Sequence, residues 1–245
     1  MSFAATDFEF KQRFWMISAI IILSFFCYQF DHTNAAIALA HKILGPGVSP
    51  GISDDSPRAD RIELSIFAAG AAFIYLAALL RSWAESYLHS SIVHDADLHS
   101  DQLVADGPYR HLRNPLYLGS DLMVVGLGLL ASRLGFVVMV VGMFLFTYRL
   151  ILREEAGLLA TQGESYRRYF NAVPRLWPSL LPRIPSSGIK PNWRDGLTGE
   201  LFMWALAAGM TAFVITQKIW LFYAVTAAGF AIYFLQAWLR KRAPA

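Results

Sequence analysis

Six apolar stretches constrain this chain more than any other feature: Phe14–Phe30, Leu64–Leu80, Leu116–Ala131, Leu134–Tyr148, Leu201–Thr216 and Ile219–Leu239. A helix needs roughly 20 consecutive apolar residues to cross the hydrocarbon core of a bilayer. Only the last stretch reaches that length. The others must borrow flanking residues, stand upright or thin the bilayer. Hydrophobic residues make up 56% of the 245 and charged residues only 16%, well under the roughly one quarter of a soluble domain. One water-soluble core of this size cannot hide so much apolar surface, so the excess belongs in lipid. The predicted fold class is all-α, a polytopic membrane protein with about six transmembrane helices. The first stretch does not read as a cleavable signal, because Asp7 and Glu9 precede it and no small-residue cleavage site follows.

Orientation follows from the positive charges. Suppose the N-terminus is cytoplasmic and all six stretches cross. The inside segments then hold Lys11, Arg13, Arg81, Arg110, Arg113, every Lys and Arg from Arg149 to Arg194, and Arg240, Lys241 and Arg242. These are sixteen of the 21 basic residues; the outside keeps Lys42, Arg58, Arg61, Arg133 and Lys218. The bias predicts an integral protein of an inner or ER-like membrane, with its polar segments on the cytoplasmic face. The net charge of +3 reads as anchoring toward anionic lipid. A nucleic-acid footprint is excluded, since no basic stripe interleaved with stacking aromatics lies outside the membrane. The single cysteine, Cys27, rules out an intrachain disulfide and argues against a thiolate metal cluster.

Residues Asp31–Arg61 form the one long outer loop, with Ala35–Leu44 as a short interfacial helix. The pairs Ser132-Arg133 and Gln217-Lys218 are tight enough to make helical hairpins on either side of them. From Arg149 the pattern stays helical to about Tyr169, and prolines at 174, 178, 182, 185 and 191 then break it. The chain divides into N-terminal spans and loops (1–100), a catalytic core (101–195) and a C-terminal hairpin (196–245).

Polar chemistry gathers at one end of the middle hairpin. Residues Gly107–Gly119 read GPYRHLRNPLYLG. Gly107-Pro108 sets a turn, and Pro115 forces Asn114 out of helical conformation and opens the next helix. Unpaired N–H groups at that helix start, beside Arg110, His111 and Arg113, make an anion site at the membrane surface. Tyr117 and Asp121 follow one turn apart on one face. At the exit of the following span stand Arg149 and Arg153, then Glu154 and Glu155, and further on Tyr166 and Tyr169. A plainer reading is a charged juxtamembrane anchor with snorkelling arginines. It explains Arg153 better than Arg149, which lies inside the apolar run. Ionisable groups at membrane depth are functional candidates because their desolvation is costly. By that argument Asp121 either binds ligand or pairs with an arginine.

These segments resemble the isoprenylcysteine carboxyl methyltransferase and phospholipid methyltransferase family of integral membrane enzymes. The family pattern matches at Gly107, Pro108, Tyr109, Arg110, Arg113, Pro115, Tyr117 and Gly119, then at Arg153, Glu154 and Glu155. It continues at Gly163, Tyr166, Tyr169, Val173, Pro174 and Arg175. The resemblance implies that S-adenosylmethionine binds between the two segments while a lipophilic acceptor enters from the bilayer. The cofactor-binding residues are then Tyr109, His111, Arg113, Asn114, Pro115, Tyr117, Gly119, Glu154 and Glu155. Substrate-binding falls to Asp121, Arg149, Tyr166 and Tyr169, and the catalytic roles to Arg149, Arg153 and Glu155. A carboxylate acceptor needs a cation to orient it, which Arg149 or Arg153 supplies. An amine or hydroxyl acceptor needs proton removal, for which Glu155 is the choice. Asn114 departs from the family, which usually carries His there, and so lacks a titratable ring.

Two other readings compete. Sterol and steroid reductases look similar around the R-x-P-x-Y hairpin and would use NADPH; the paired glutamates and Val173-Pro174-Arg175 favour the methyltransferase. A membrane scaffold would leave Asp121, Arg149 and both glutamates without a ligand. The series His89, His94 and His99 matches no common zinc spacing, and its segment reads as a polar lid.

Overall fold

The computed structural model describes residues 3–45, 57–94 and 105–242. They form helices α1 (Asp7–Lys11), α2 (Arg13–Phe26), α3 (Ala35–Leu44), α4 (Pro57–His94), α5 (Pro115–Gly128), α6 (Arg133–Ala172), α7 (Trp193–Gly199), α8 (Leu201–Thr216) and α9 (Ile219–Arg242). No strand occurs among the described residues. The molecule is all-α, as its apolar pattern predicts. The side chains of His89 and His94, and all of His99, lie outside the described residues.

Among the described residues three helices are long and apolar enough to cross a membrane: Arg58–Leu88 within α4, α6, and Ile219–Gln236 within α9. The bent pair α7 and α8, at 61°, makes a fourth when counted as one span. The predicted six crossings are thus not all carried by full-length helices. The shortfall at α5 has a local cause. Pro115 fixes its start, and its 14 residues reach about 21 Å at about 1.5 Å per residue, short of a hydrocarbon core of about 30 Å. The 40 residues of α6 reach about 60 Å by the same rise, so its second half stands clear of the lipid. That half carries Arg153 onward. It bends at Gly163, whose φ of 57° and ψ of −126° suit a residue without a Cβ.

Lipid gives apolar side chains little reason to leave it, so close backbone approach does much of the packing. A Cβ on Gly126 of α5 would collide with the Gly70 carbonyl of α4. Around this contact Ile74, Val124, Met139, Met143, Met203 and Met210 form a dry core shared by α4, α5, α6 and α8. At one end of the bundle, Asn34 caps α3 and donates to Leu129 O at 3.2 Å, while Asp31 pairs with Arg133 at 3.0 Å. The opposite end carries the candidate site.

Candidate active site

Residues 105–114 and 173–189 close on one another before either reaches the helices. Asp106 is buried and accepts from Ser186 Oγ at 2.7 Å, from the backbone N–H groups of Ser187 and Ile189 at 3.1 Å, and from Ser187 Oγ. Burial alone would raise its carboxyl, but these donors outweigh it and hold the group below the usual carboxylate range. Arg110 Nε donates to Ile184 O at 2.9 Å, and Arg113 N to Pro174 O at 2.9 Å. His111 Nδ1 lies 2.7 Å from Ser179 O. A carbonyl only accepts, so Nδ1 carries the proton. The His111 ring is therefore engaged with this segment. Tyr109 is buried, which pushes its phenol well up, and its carbonyl accepts from Tyr169 Oη at 2.9 Å. Tyr166 and Tyr169 form a buried cluster with Val173. These three tyrosines brace the unit.

Its centre is Glu155 of α6, 3% exposed. Arg175 grips Oε2 from Nε at 2.9 Å and from Nη2 at 2.8 Å. Asn114 Nδ2 donates to Oε1 at 3.2 Å. Arg113 Nε is 3.0 Å from Oε1, but its N–H finds no hydrogen-bond acceptor, so that contact is coulombic. Arg113 also donates from Nη1 to Phe170 O, and its guanidinium lies 3.9 Å over the Phe170 ring. Arg175 Nη1 reaches Tyr148 Oη at 2.8 Å. Two guanidiniums thus surround one carboxylate, leaving one positive charge unbalanced in a largely buried place. Asn114 Nδ2 donates to Glu155 and to Arg175 O, and the side chain, turned toward them, makes no cap hydrogen bond to α5. The first-turn N–H groups of α5, next to Arg113, keep their partial positive charge.

One residue away, Glu154 has different company. It accepts from Tyr117 Oη at 2.7 Å and borders a surface groove with Gly157, Leu158 and Thr161. Asp121 is fully buried and accepts from Thr147 Oγ1 at 3.0 Å; a threonine across the α5–α6 hairpin takes the place expected for an arginine. Arg149 and Arg153 point to the N-terminal segment. Arg149 Nη2 donates to Glu9 Oε2 at 2.8 Å, and Arg153 pairs with Asp7.

Sequence reasoning passed over Arg81 and Glu200. Arg81 of α4 holds Glu200, at the α7–α8 bend, through Nε and Nη2, both at 2.7 Å. Its Nη1 donates to Leu116 O at 3.0 Å and Ser120 Oγ at 2.9 Å in the first turns of α5. Gly119 belongs to the same contact, since a Cβ there would collide with the Arg81 stem. The signal was the buried charge itself, Arg81 directly after the apolar run to Leu80 and Glu200 directly before the run from Leu201. Arg113, Asn114, Glu155 and Arg175 thus converge, with Pro115 opening α5 beside them and Tyr117–Glu154 adjacent. Arg149 and Arg153 face elsewhere.

Known proteins bear on this geometry. NccN, a nickel-cobalt-cadmium resistance protein of Alcaligenes xylosoxydans xylosoxydans, is 25% identical over 119 residues, which cover 49% of this chain and 53% of that one. CzcN, a cobalt-zinc-cadmium resistance protein of Cupriavidus metallidurans, is 27% identical over 107 residues, covering 44% and 46%. The chain spans about half the length of these curated relatives. Among the described residues no three His, Cys, Asp or Glu side chains gather as a metal-binding set. No solved structure matches the chain. Residues 65–162 match the family model described as phospholipid methyltransferase. That match runs from α4 to the bend of α6 and is consistent with the motifs of residues 107–178, which resemble the same family.

Proposed function

We propose that this chain is an S-adenosylmethionine-dependent methyltransferase acting on a lipophilic acceptor dissolved in the membrane, with its site at the cytoplasmic face. The observation that carries this reading is the buried cluster of two guanidiniums around Glu155, set against the uncapped start of α5. The cofactor is a zwitterion with a carboxylate, an ammonium and a sulfonium, and these residues fit it. Arg113 and the first turn of α5 suit the carboxylate, where one positive charge is in excess. Glu154 suits the ammonium or a ribose hydroxyl, because Tyr117 uses only part of its accepting capacity. Tyr117 lends an aromatic face beside it. Bound there, the cofactor supplies a methyl group on a positively charged sulfur, open to in-line displacement.

The remaining work falls to the chain. Such a displacement gains mostly from alignment and exclusion of water. The rigid joining of 105–114 to 173–189 serves both, and Arg81 fixes the depth of α5. The sequence assigns proton removal to Glu155, but its oxygens already face Arg113, Asn114 and Arg175. Glu154, with one hydroxyl donor, is better placed to take a proton from an amine or hydroxyl acceptor. For an anionic acceptor, Arg149 and Arg153 would supply the orienting charge once parted from Glu9 and Asp7.

Incubating the purified protein with a membrane lipid extract and methyl-labelled S-adenosylmethionine tests the proposal. A labelled lipophilic product, read by mass spectrometry and lost in Arg113→Met, is expected. A lipid fraction without label in any species would overturn it.

A further inference from the structure

Arg149 and Arg153 stand one turn apart at the polar end of the α6 span, next to the proposed site, and both are already taken. Arg149 pairs with Glu9 at 2.8 Å and Arg153 with Asp7. Both acids come from the short segment that precedes α2. Its docking is light. Ala5 is buried against Phe146 and Leu150, and Ala5 N donates to Arg149 O at 3.0 Å. Arg149 and Arg153 reach back to Phe3 O and Ala5 O, both at 3.2 Å. Beyond Ala5 only Phe10, packed on the same cluster, and Glu9 are partly covered. The Asp7 side chain is 81% exposed, and Phe8, Phe14 and Trp15 are each about two-thirds exposed. Exposed aromatic rings of this kind settle at the membrane–water interface, the layer along which an amphiphile's headgroup travels. The Phe3 and Phe10 rings sit at 5.9 and 5.2 Å from the two guanidiniums. The arginine pair therefore has two anionic groups, aromatic walls and a path from the interface.

We propose that residues 3–12 form an intramolecular plug. Asp7 and Glu9 stand in for the anionic headgroup of a membrane-dissolved amphiphile, which binds Arg149 and Arg153 by displacing them. The proposal rests on the methyltransferase reading for its biological purpose, since it makes the acceptor, or a lipid that gates it, an anion. Its physical content is independent of that reading. Asp7 is exposed and Arg149 and Arg153 each keep about a third of their side chains open, so these pairs hold weakly. Glu9 is less open and also accepts from Thr6 N at 2.7 Å as the capping box of α1. A headgroup bringing an acyl chain into the bilayer adds more apolar burial than Ala5 and Phe10 give the plug.

The test uses the full chain in detergent micelles, with dodecanoate as carboxylate probe and phosphatidylglycerol as phosphate probe, each titrated by calorimetry. Asp7→Asn with Glu9→Gln should tighten dodecanoate binding about tenfold, since two weak pairs no longer compete, equivalent to about 1.4 kcal/mol. Arg149→Met with Arg153→Met should abolish that binding. The acid double variant should shift the melting temperature by no more than about 2–4 °C. Tightening seen only with phosphatidylglycerol supports the plug and identifies membrane lipid as the occupant. Unchanged or weaker binding of both probes in the acid variant overturns it and makes the pairs simple docking contacts. S-adenosylmethionine affinity is measured on the same samples. Its absence in the unaltered chain would count against the proposed activity and leave the plug to be decided by the two anion probes.

Discussion

Glu154 and Glu155 are consecutive in sequence and opposite in surroundings, and the difference sets distinct outcomes for the same substitution. Glu155→Gln leaves Arg113 and Arg175 facing each other around a neutral amide. Removing one partner of a buried pair costs about 3–5 kcal/mol. Arg175 keeps 27% of its side chain exposed, so the lower end is expected, measured by denaturant unfolding in detergent. Glu154→Gln keeps an oxygen for the Tyr117 hydroxyl, so its stability should change by less than about 1 kcal/mol while methyl transfer falls. The convergence of Arg113 with Glu155 was legible from motif order around a hairpin. The grip of Arg175 was not, because a proline-broken tail has no period from which a contact can be read. Nor was the partner of Asp121. A threonine at the end of an apolar run, Thr147, carries no charge to advertise it.

At the scale of the elements, two features decide how α5 is held. Arg81 ties it to α4 and to the α7–α8 bend with a planar fork of donors. Arg81→Lys keeps the charge but not the fork, and is expected to lower stability by about 2 kcal/mol and to weaken S-adenosylmethionine binding, checked by thermal unfolding and calorimetry. Gly126 lets α5 approach α4 at Gly70, and Gly126→Leu should destabilise by about 1–3 kcal/mol through overpacking. The segment behind the site responds to acid. The Asp106 carboxyl lies below its ordinary value in the folded chain. Its hydrogen bonds therefore add stability above the ordinary value of about 3.9, and lose it as pH falls through the lowered value. Amide protection factors at Ser187 and Ile189 should fall over that acid range and stay flat between pH 5 and 8. Helix type and the tight Gln217-Lys218 turn could be read from hydropathy alone. The continuation of α4 to His94 could not, because polarity there resembles that of a loop.

Across the whole molecule, long helices α4 and α6 pass from a lipid-facing bundle into a polar end where the site lies. Apolar runs foretold the bundle; of about six predicted crossings, the described residues carry three full-length ones, or four with α7 and α8 as one span. α2 and α5 are too short to span unaided, and α8 needs α7 to lengthen it. Long-range charge pairs are what the chain hides best. Arg81 and Glu200 are separated by 119 positions, and Arg149 and Glu9 by 140. Each joins elements that no local pattern connects. The central claim is that Arg113, Glu155 and the start of α5 hold a sulfonium zwitterion. Calorimetric titration of the purified chain with S-adenosylmethionine and, separately, with NADPH tests it most directly. The account predicts binding of the first alone, weakened about 10–100-fold by Arg113→Met through loss of charge-assisted contacts. Binding of NADPH with no response to S-adenosylmethionine would contradict it.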